Sequence, residues 1–430
     1  MKKLILKNIA INVMIFALLS IILTFNICNS QQIEDDLKLD AAPKVISKYK
    51  EKFILNDALI FEWALFNKPL WSPNGKSLIW ERIPGNERHS FLFLKKDIMS
   101  DTKEILIDEK KSPLNQTIES EKLKFQNGTS FIDPNYTVAP GINEIELKVI
   151  GYSWNPDQSS IIMAIPKKGL YLYNIHNPDK KSKYLLKSEK SIEQFPVFSP
   201  DGSKICFISD RSSDLNSNNG DLFLYNFSNN SVTRLTNTEE YDFGHCWSPD
   251  SRYIFFHTET MGVSRIYMID TSIPGKNPQA LTGRGLTSKY PVISPDGKKL
   301  AFFQKNSVHF FDLKNNRIIK DIEFPNALTY SSSLVWYDNL RVIYIGNFEH
   351  IVESDGQRLN ISKPLLLGNI KDKSVKPIVF KKVTEQHEYL SIHRGSKRLC
   401  FAAITHTEEE GANQFHKNLL MVELEGVIGE

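Results

Sequence analysis

Four stretches of the chain alternate apolar and polar side chains with a period of two: GLYLYNIH from residue 169, GDLFLYNF from 220, SRIYMIDT from 264 and SVHFFDLK from 307. A period of two puts successive side chains on opposite faces of a β-strand. Each stretch has an Asn or Asp near its end, which can start a turn. Upstream of each lies an apolar run of mostly β-forming side chains, such as Ile205 to Ile208, suited to a strand buried on both faces. Ahead of the runs comes a turn. In FSPDGSKICFISDR, residues 198 to 211, Ser199 suits the first position of a type I turn, and Pro200 fixes φ at the second. Asp201 tolerates the third, and Gly202 accepts the left-handed geometry that follows.

This turn-and-run unit recurs. WSPNGKSLIWER occupies 71 to 82, WNPDQSSIIMAI 154 to 165, WSPDSRYIFFHTE 247 to 259 and ISPDGKKLAFFQK 293 to 305. WYDNLRVIYIG at 336 to 346 and IHRGSKRLCFAA at 392 to 403 are weaker copies without the turn proline. Short strands repeating every 40 to 50 residues or so predict a β-propeller with one four-stranded blade per repeat. The fold class is all-β, seven blades, with six or eight as alternatives. Fourth strands read at KYLLK (183), TRLTN (233) and QALTG (279), and first-blade strands at FLFLKK (91 to 96) and EILID (104 to 108). Residues 110 to 145, rich in Asn, Ser, Pro and Gly, interrupt the period as an insertion, and the sixth repeat carries another around HIVESDGQRLNIS, 350 to 362.

The last blade poses a closure problem. HRGSKRLCFAA and NLLMVEL (418 to 424) supply its strands, and the six residues after Leu424 are too few for a fourth. A propeller leaves no open edge between its first and last blades. The apolar stretch KFILND, 52 to 57, therefore predicts that Phe53 to Asn56 forms the outermost strand of the seventh blade, pairing with 418 to 424.

Residues 1 to 30 read as an export leader. Lys2, Lys3 and Lys7 precede a nearly unbroken apolar stretch from Ile9 to Phe25. Three fates stay open: cleavage near Ser30, lipidation of Cys28 directly after the apolar stretch, or retention as an uncleaved anchor. Residues 31 to 50, polar and charged, read as a flexible lead-in, with the propeller from 51 to 430. Without Lys2, Lys3 and Lys7, the 53 basic residues fall to 50, matching the 50 acidic ones. A neutral chain lacks the footprint of nonspecific nucleic-acid binding, so no nucleic-acid partner is expected. Beyond the leader only Cys206, Cys246 and Cys400 remain. Without a CxxC they read as buried apolar thiols.

From about 195 to 305 the chain resembles the TolB-like, WD-repeat-like propellers of bacterial envelopes. The resemblance rests on FSPDGSKICFISDR, WSPDSRYIFFHTE and ISPDGKKLAFFQK, with RLTN and QALTG closing blades. Its most specific piece is Phe207-x-Ser209-Asp210-Arg211. It implies a periplasmic or surface binding scaffold and no reaction. Seven-bladed enzymes of similar repeat, such as oligogalacturonate lyases, bind a metal through His residues.

No G-x-S-x-G or HExxH is present, and Gly75-Lys76-Ser77 lacks the first Gly of a P-loop, Leu70 standing in its place. Asp201, Asp250 and Asp296 repeat as turn residues. Asp210 and Arg211 read as an ion pair or hydrogen bonds between strands or blades. His245, just before Trp247 on an innermost strand, is the candidate metal ligand; His257, His309, His350, His387 and His393 lie elsewhere round the ring. No catalytic or cofactor-binding residue is assigned, and no cofactor is expected. The leading expectation is an exported, periplasmic, secreted or envelope-anchored scaffold for a protein or glycan partner, meeting the membrane only through an N-terminal anchor. The alternative is a carbohydrate-active propeller enzyme, similar to oligogalacturonate lyases, with a His metal site.

Overall fold

The computed structural model describes most of the chain from residue 69 onward, together with strands at 37–39 and 44–48. The segments 1–36, 40–43, 49–68, 83–90, 101–104, 107–120, 125–143 and 213–219 lie outside the description, as do short breaks of one to three residues. The leader, Cys28 and Phe53 to Asn56 are therefore among the residues not described.

The chain is a seven-bladed β-propeller of four-stranded antiparallel blades, as the repeats require. Strands a to d run outward in each blade. Blade I comprises Leu70–Trp71, Leu78–Arg82, Phe91–Lys95 and Ile105–Leu106; blade II, Tyr152–Trp154, Ser160–Ile165, Gly169–Asn174 and Lys183–Lys187. Blade III comprises Glu193–Phe198, Lys204–Ser209, Asp221–Asn226 and Ser231–Arg234; blade IV, Tyr241–Trp247, Tyr253–Thr260, Val263–Asp270 and Gln279–Ala280. Blade V comprises Ser288–Ile293, Lys299–Gln304, Ser307–Asp312 and Arg317–Phe324; blade VI, Leu334–Trp336, Arg341–Ile345, Leu365–Asn369 and Ser374–Phe380. Blade VII takes Thr384–His393, Arg398–Glu409 and Ala412–Glu423 from the end of the chain, and Lys44–Lys48 from its start.

That last strand is the clasp, and it corrects the sequence reading. Lys44 pairs with Met421 and Lys48 with Asn418, antiparallel, so the outer strand of blade VII begins nine residues before Phe53. A second strand, Leu37–Leu39, adds in parallel to the edge of blade VI, Leu37 facing Ile378 and Leu39 facing Phe380. The stretch read as a flexible lead-in thus ties two blades together.

The core is a ring of interfaces. One cluster of buried apolar side chains lies between each pair of neighbouring blades, from I–II round to VII–I. This explains the unbroken apolar b strands: Ile205 to Ile208 meet blade II with one face and blade IV with the other, and all four are fully buried. The tryptophans of the repeat latch the blades. The indole N–H of Trp71, Trp154, Trp247 and Trp336 donates to the innermost strand of the preceding blade, at the carbonyls of Ser391, Leu70, Val197 and Val292 (3.2, 3.1, 3.1 and 2.8 Å). Blades III and V have Phe198 and Ile293 at this place, which cannot donate. At the IV–V junction the Cys246 thiol instead donates to the Pro291 carbonyl, 3.2 Å.

The turns follow the expected chemistry. In blade III the Ser199 hydroxyl donates to Asp201 (2.6 Å), Gly202 N–H donates to the Ser199 carbonyl (2.9 Å), and Gly202 sits at φ +73°. Ser294 and Asp296 repeat the bond at 2.7 Å, and Ser248 and Asp250 repeat it in blade IV. These aspartates are spent on their own turns. Gly75, at φ +67°, has a second reason to be glycine: a Cβ there would stand 2.3 Å from the His393 ring, which bonds the Pro73 carbonyl across the I–VII closure (3.0 Å).

Because each blade is a meander, the a–b and c–d turns lie at one end of the ring and the b–c and d–a connections at the other. We refer to these as the turn end and the insert end.

Candidate functional site: a buried charge array at the insert end

Each innermost strand of blades III, IV, V and VII carries a bulge near its insert-end half, marked by a register shift and one left-handed residue. Those residues are Phe195 (φ 49°), Gly244 (56°), Tyr290 (52°) and Tyr389 (56°), each five positions before the turn proline or its equivalent. Only Gly244 suits this geometry; the three aromatics hold it at a cost of roughly 1–2 kcal/mol each. Two residues ahead of each stand Glu193, Asp242, Ser288 and His387, all essentially unexposed.

The polar groups at this position are tied down by the connections at the same end. In blade III one oxygen of Glu193 accepts from Arg211 (2.7 Å), Ser191 (2.7 Å) and Ser209 (3.2 Å). The Arg211 guanidinium also lies over Phe207 and Phe223, 5.4 and 5.2 Å from their ring centres. Asp210 does a different job, accepting from the Ile192 N–H at 2.8 Å. Burial, reinforced by Glu193, pushes its carboxyl above the ordinary range.

At the III–IV junction Arg234 pairs with buried Asp221 (2.6 Å), and the Thr236 hydroxyl lies between two carboxylates, 2.5 Å from Asp242 and 3.4 Å from Asp221. Thr236, the Thr of RLTN, also accepts from Leu222 N–H (2.8 Å), and Thr282 of QALTG does the same for Ile266 N–H (3.0 Å). Burial raises the Asp242 carboxyl well above its usual range, with Asp221 and Glu240 adding to it. At the IV–V junction Lys289 and Glu259 form a largely buried pair at 2.8 Å. His257, beside them, accepts weakly from the Tyr290 N–H (3.4 Å). Burial, helped by the Lys289 charge, holds its imidazole down to about 3.

Across blades III to V five carboxyls (Glu193, Asp210, Asp221, Asp242, Glu259) thus meet three cations (Arg211, Arg234, Lys289). The excess falls on Asp210 and Asp242, the two whose carboxyls are raised. Asp242→Asn should therefore stabilise the protein, by about 1 kcal/mol or more at neutral pH. An acid whose folded pKa lies above its unfolded value, about 3.9, contributes stability below that value and loses it as pH rises through the folded one. The advantage of the Asn variant should grow as pH is raised from about 4. Denaturant midpoints across that range check this, and a variant less stable than wild type at every pH would contradict it.

The histidines do not converge among the described residues. His245 is on the innermost strand of blade IV, as expected, but its ring is buried (9% exposed) against the backbones of Phe195 and Cys206. Neither nitrogen makes a well-formed hydrogen bond, although those two backbones approach closely enough to favour the proton slightly. Burial dominates and holds the ring down to about 4. His387 is bonded through Nδ1 to the Lys363 carbonyl (2.7 Å), and burial holds it to about 4. His309 faces Glu323 at 3.7 Å on blade V, His350 lies on the blade VI hairpin, and His393 serves the closure. No group of three or more His, Cys, Asp or Glu side chains is placed to hold a metal among the described residues, so no step through a metal is derived. Cys206, Cys246 and Cys400 are not joined in a disulfide.

No protein-family model matches the chain, and no curated protein matches it. Solved structures do. An oligogalacturonate lyase in complex with manganese superposes with a TM-score of 0.51 at 13% identity, over 82% of this chain and 88% of the other. An oligogalacturonate lyase from Vibrio parahaemolyticus gives 0.50 at 12% identity, over 88% and 98%. A putative TolB from Agrobacterium tumefaciens gives 0.38 at 19% identity, over 60% and 81%. At such identities the likeness shows the fold alone: the chain belongs to the class of seven-bladed β-propellers.

Proposed function

We propose that this chain is an exported binding scaffold that presents the insert end of its propeller to a protein or glycan partner in the cell envelope. One observation carries the reading: among the described residues, the hairpins and strand extensions added to the minimal blade lie at that end. The d–a connection after blade I holds the paired strands Glu121–Lys124 and Glu144–Leu147. The b–c connection of blade VI holds the hairpin of His350–Ser354 and Gln357–Ile361. The b and c strands of blade VII run to twelve residues each, pairing out to Glu409 and Ala412, past the last a-strand partner at Thr405. In repeat proteins, insertions gathered on one face commonly mark the binding face.

The test is capture from envelope extract by the wild type and by a variant with 351–360 replaced by a short Gly-Ser turn, which keeps the buried Ile361 against Val379. We expect a stoichiometric partner held by the wild type and lost by the variant, with melting unchanged. Equal capture by both would remove the hairpin from the interface. Export is checked separately by mass spectrometry of the native protein, which should show residues 1 to about 30 absent or lipid-linked.

A second reading keeps one observation of its own. Buried His245, with neither nitrogen well bonded, is a spare ligand of the kind a carbohydrate-active, metal-dependent propeller enzyme would need. A transition metal bound stoichiometrically by purified wild type, and lost in His245→Ala, would favour that reading over the scaffold.

A further inference from the structure

The seam between blades III and IV holds a carboxyl without a counter-charge among the described residues. Asp242, on the innermost strand of blade IV, is fully buried, and its Oδ2 lies 2.5 Å from the Thr236 hydroxyl. Its other oxygen, Oδ1, makes no hydrogen bond among the described residues. The titratable and charged groups around it come from both blades. Blade III supplies Asp221, with its partner Arg234, and Cys206. Blade IV supplies Tyr241 and, just ahead of the strand, Glu240. Asp210 of blade III acts on Tyr241 from farther along the seam. Arg234 is already paired with Asp221 at 2.6 Å, so the charges acting most strongly on Asp242 are acidic. Burial pushes the Cys206 thiol and the Tyr241 phenol up, which keeps both neutral near pH 7.

The hydrogen bonds fit a proton on Asp242. Thr236 Oγ1 accepts from the Leu222 N–H (2.8 Å) and has a single proton to donate. With Asp242 neutral, its O–H donates to Thr236, and Thr236 donates onward to Asp221 (3.4 Å). Asp221 also accepts from Arg234 and from the Thr238 N–H (3.3 Å), so this chain of donors ends on a paired carboxylate. With Asp242 ionised, Thr236 must turn its proton back to Asp242. A buried charge then has one hydrogen bond and no cation, and hydration becomes the cheaper state. The partners of Asp242 stand on the opposite blade, so water reaches it by parting the seam at the insert end. The turn end of the same seam is held separately by the Trp247 indole on the Val197 carbonyl (3.1 Å).

We propose that the III–IV seam is a pH-operated latch, closed while Asp242 carries its proton and open to water at the insert end once that proton is lost. The latch stands whether or not the insert end is the binding face. In the open seam Asp242 meets water, and its pKa returns to the ordinary value of about 3.9. In the closed seam burial holds it well above that value, with Asp221 and Glu240 adding to it. The contribution of Asp242 to closure is therefore fully present below about 3.9 and lost as pH rises through the closed-state value. Between the two values the open population should grow by up to about tenfold per pH unit, as the loss of one proton requires.

Cys206 reports on the seam. It is fully buried in the same III–IV cluster as Leu222 and Trp247, and the Asp242 charge acts on its thiol. Cys400, equally buried, lies in the VII–I cluster and reports on the ring as a whole. The test is slow alkylation of the folded full chain by iodoacetamide between about pH 5 and about pH 9, for wild type and Asp242→Asn. Each cysteine is read separately by peptide mass spectrometry. Dividing the wild-type rate by the variant rate at each pH cancels the ionisation of the thiol itself. For Cys206 we expect this ratio to climb by up to about tenfold per pH unit and then level off, with Cys400 slower throughout. A second readout uses the wild type alone: the infrared carbonyl band of a buried neutral carboxyl should fade over the same range. A flat Cys206 ratio would overturn the latch. So would Cys206 and Cys400 reacting in step, because the whole ring would then be unfolding. An infrared band absent at the acidic end, or unchanged across the range, would overturn it too.

Discussion

Removing residues 31–48 should abolish cooperative unfolding and leave an aggregating chain. Blade VII would lose its fourth strand, Lys44–Lys48, and blade VI the added strand Leu37–Leu39. The edge Asn418–Met421 would then expose a row of unpaired backbone groups, a template for pairing between chains. The loss would spread round the ring. Leu419 and Met421 are buried in the same cluster as Trp71, Leu78 and Trp80 of blade I, so the closure and the clasp share one core. Blade I also depends on blade VII through the Trp71 indole bond to Ser391 and the His393 bond to Pro73. The converse experiment strengthens the clasp. Val45 and Leu420 are cross-strand partners, so Val45→Cys with Leu420→Cys places two thiols where a disulfide would join the chain ends. Closing so long a loop should add up to about 4–5 kcal/mol to the oxidised double variant relative to its reduced form, which itself loses part of the buried packing of Leu420. A truncated chain that melts cooperatively near the wild-type temperature would show that the strap is dispensable.

The clasp also shows what sequence could and could not reveal. The turn prolines, the apolar b strands and the alternating c strands each carry their signal within a dozen residues, and they were enough to favour seven blades over six or eight. The need for a closing strand was legible too, because a propeller leaves no open edge between its first and last blades. Its position was not. KVISK, with two lysines and a serine, has no more strand character than its surroundings, and the stronger apolar stretch at Phe53 drew the assignment away. Pairing with Asn418–Met421 decides the matter, and that partner is at least 370 residues distant. The left-handed bulges were hidden for a different reason. Phe195, Tyr290 and Tyr389 are residues that local propensity sends to extended backbone, and the fold overrides that propensity. The polar position before each bulge holds Glu, Asp, Ser and His in different blades, so no motif marks it. Only the Ser209-Asp210-Arg211 triplet pointed there, and it did so by naming the cation before its partner was known.

That cation should prove the most costly single side chain to remove from the array. Arg211 reaches Glu193 at 2.7 Å, and Glu193 has no exposed side-chain surface, whereas Arg211 keeps 22% of its own. Arg211→Ala would strand the carboxylate, leaving it the two serine hydroxyls and no counter-charge. Breaking one partner of a buried pair costs about 3–5 kcal/mol, far more than the pair itself contributes. The guanidinium also covers Phe207 and Phe223, and its loss would bare part of those rings to water. Arg211→Met combined with Glu193→Gln should recover most of the loss, because the double change removes both charges and keeps volume over the aromatic rings. Urea titrations of wild type, Arg211→Met, Glu193→Gln and the double variant close the cycle, with Arg211→Ala measured beside them. A single variant within about 0.5 kcal/mol of wild type at neutral pH, the size of an ordinary surface substitution, would mean that water already screens the pair. A double variant worse than the single would mean that Arg211 acts through packing rather than charge.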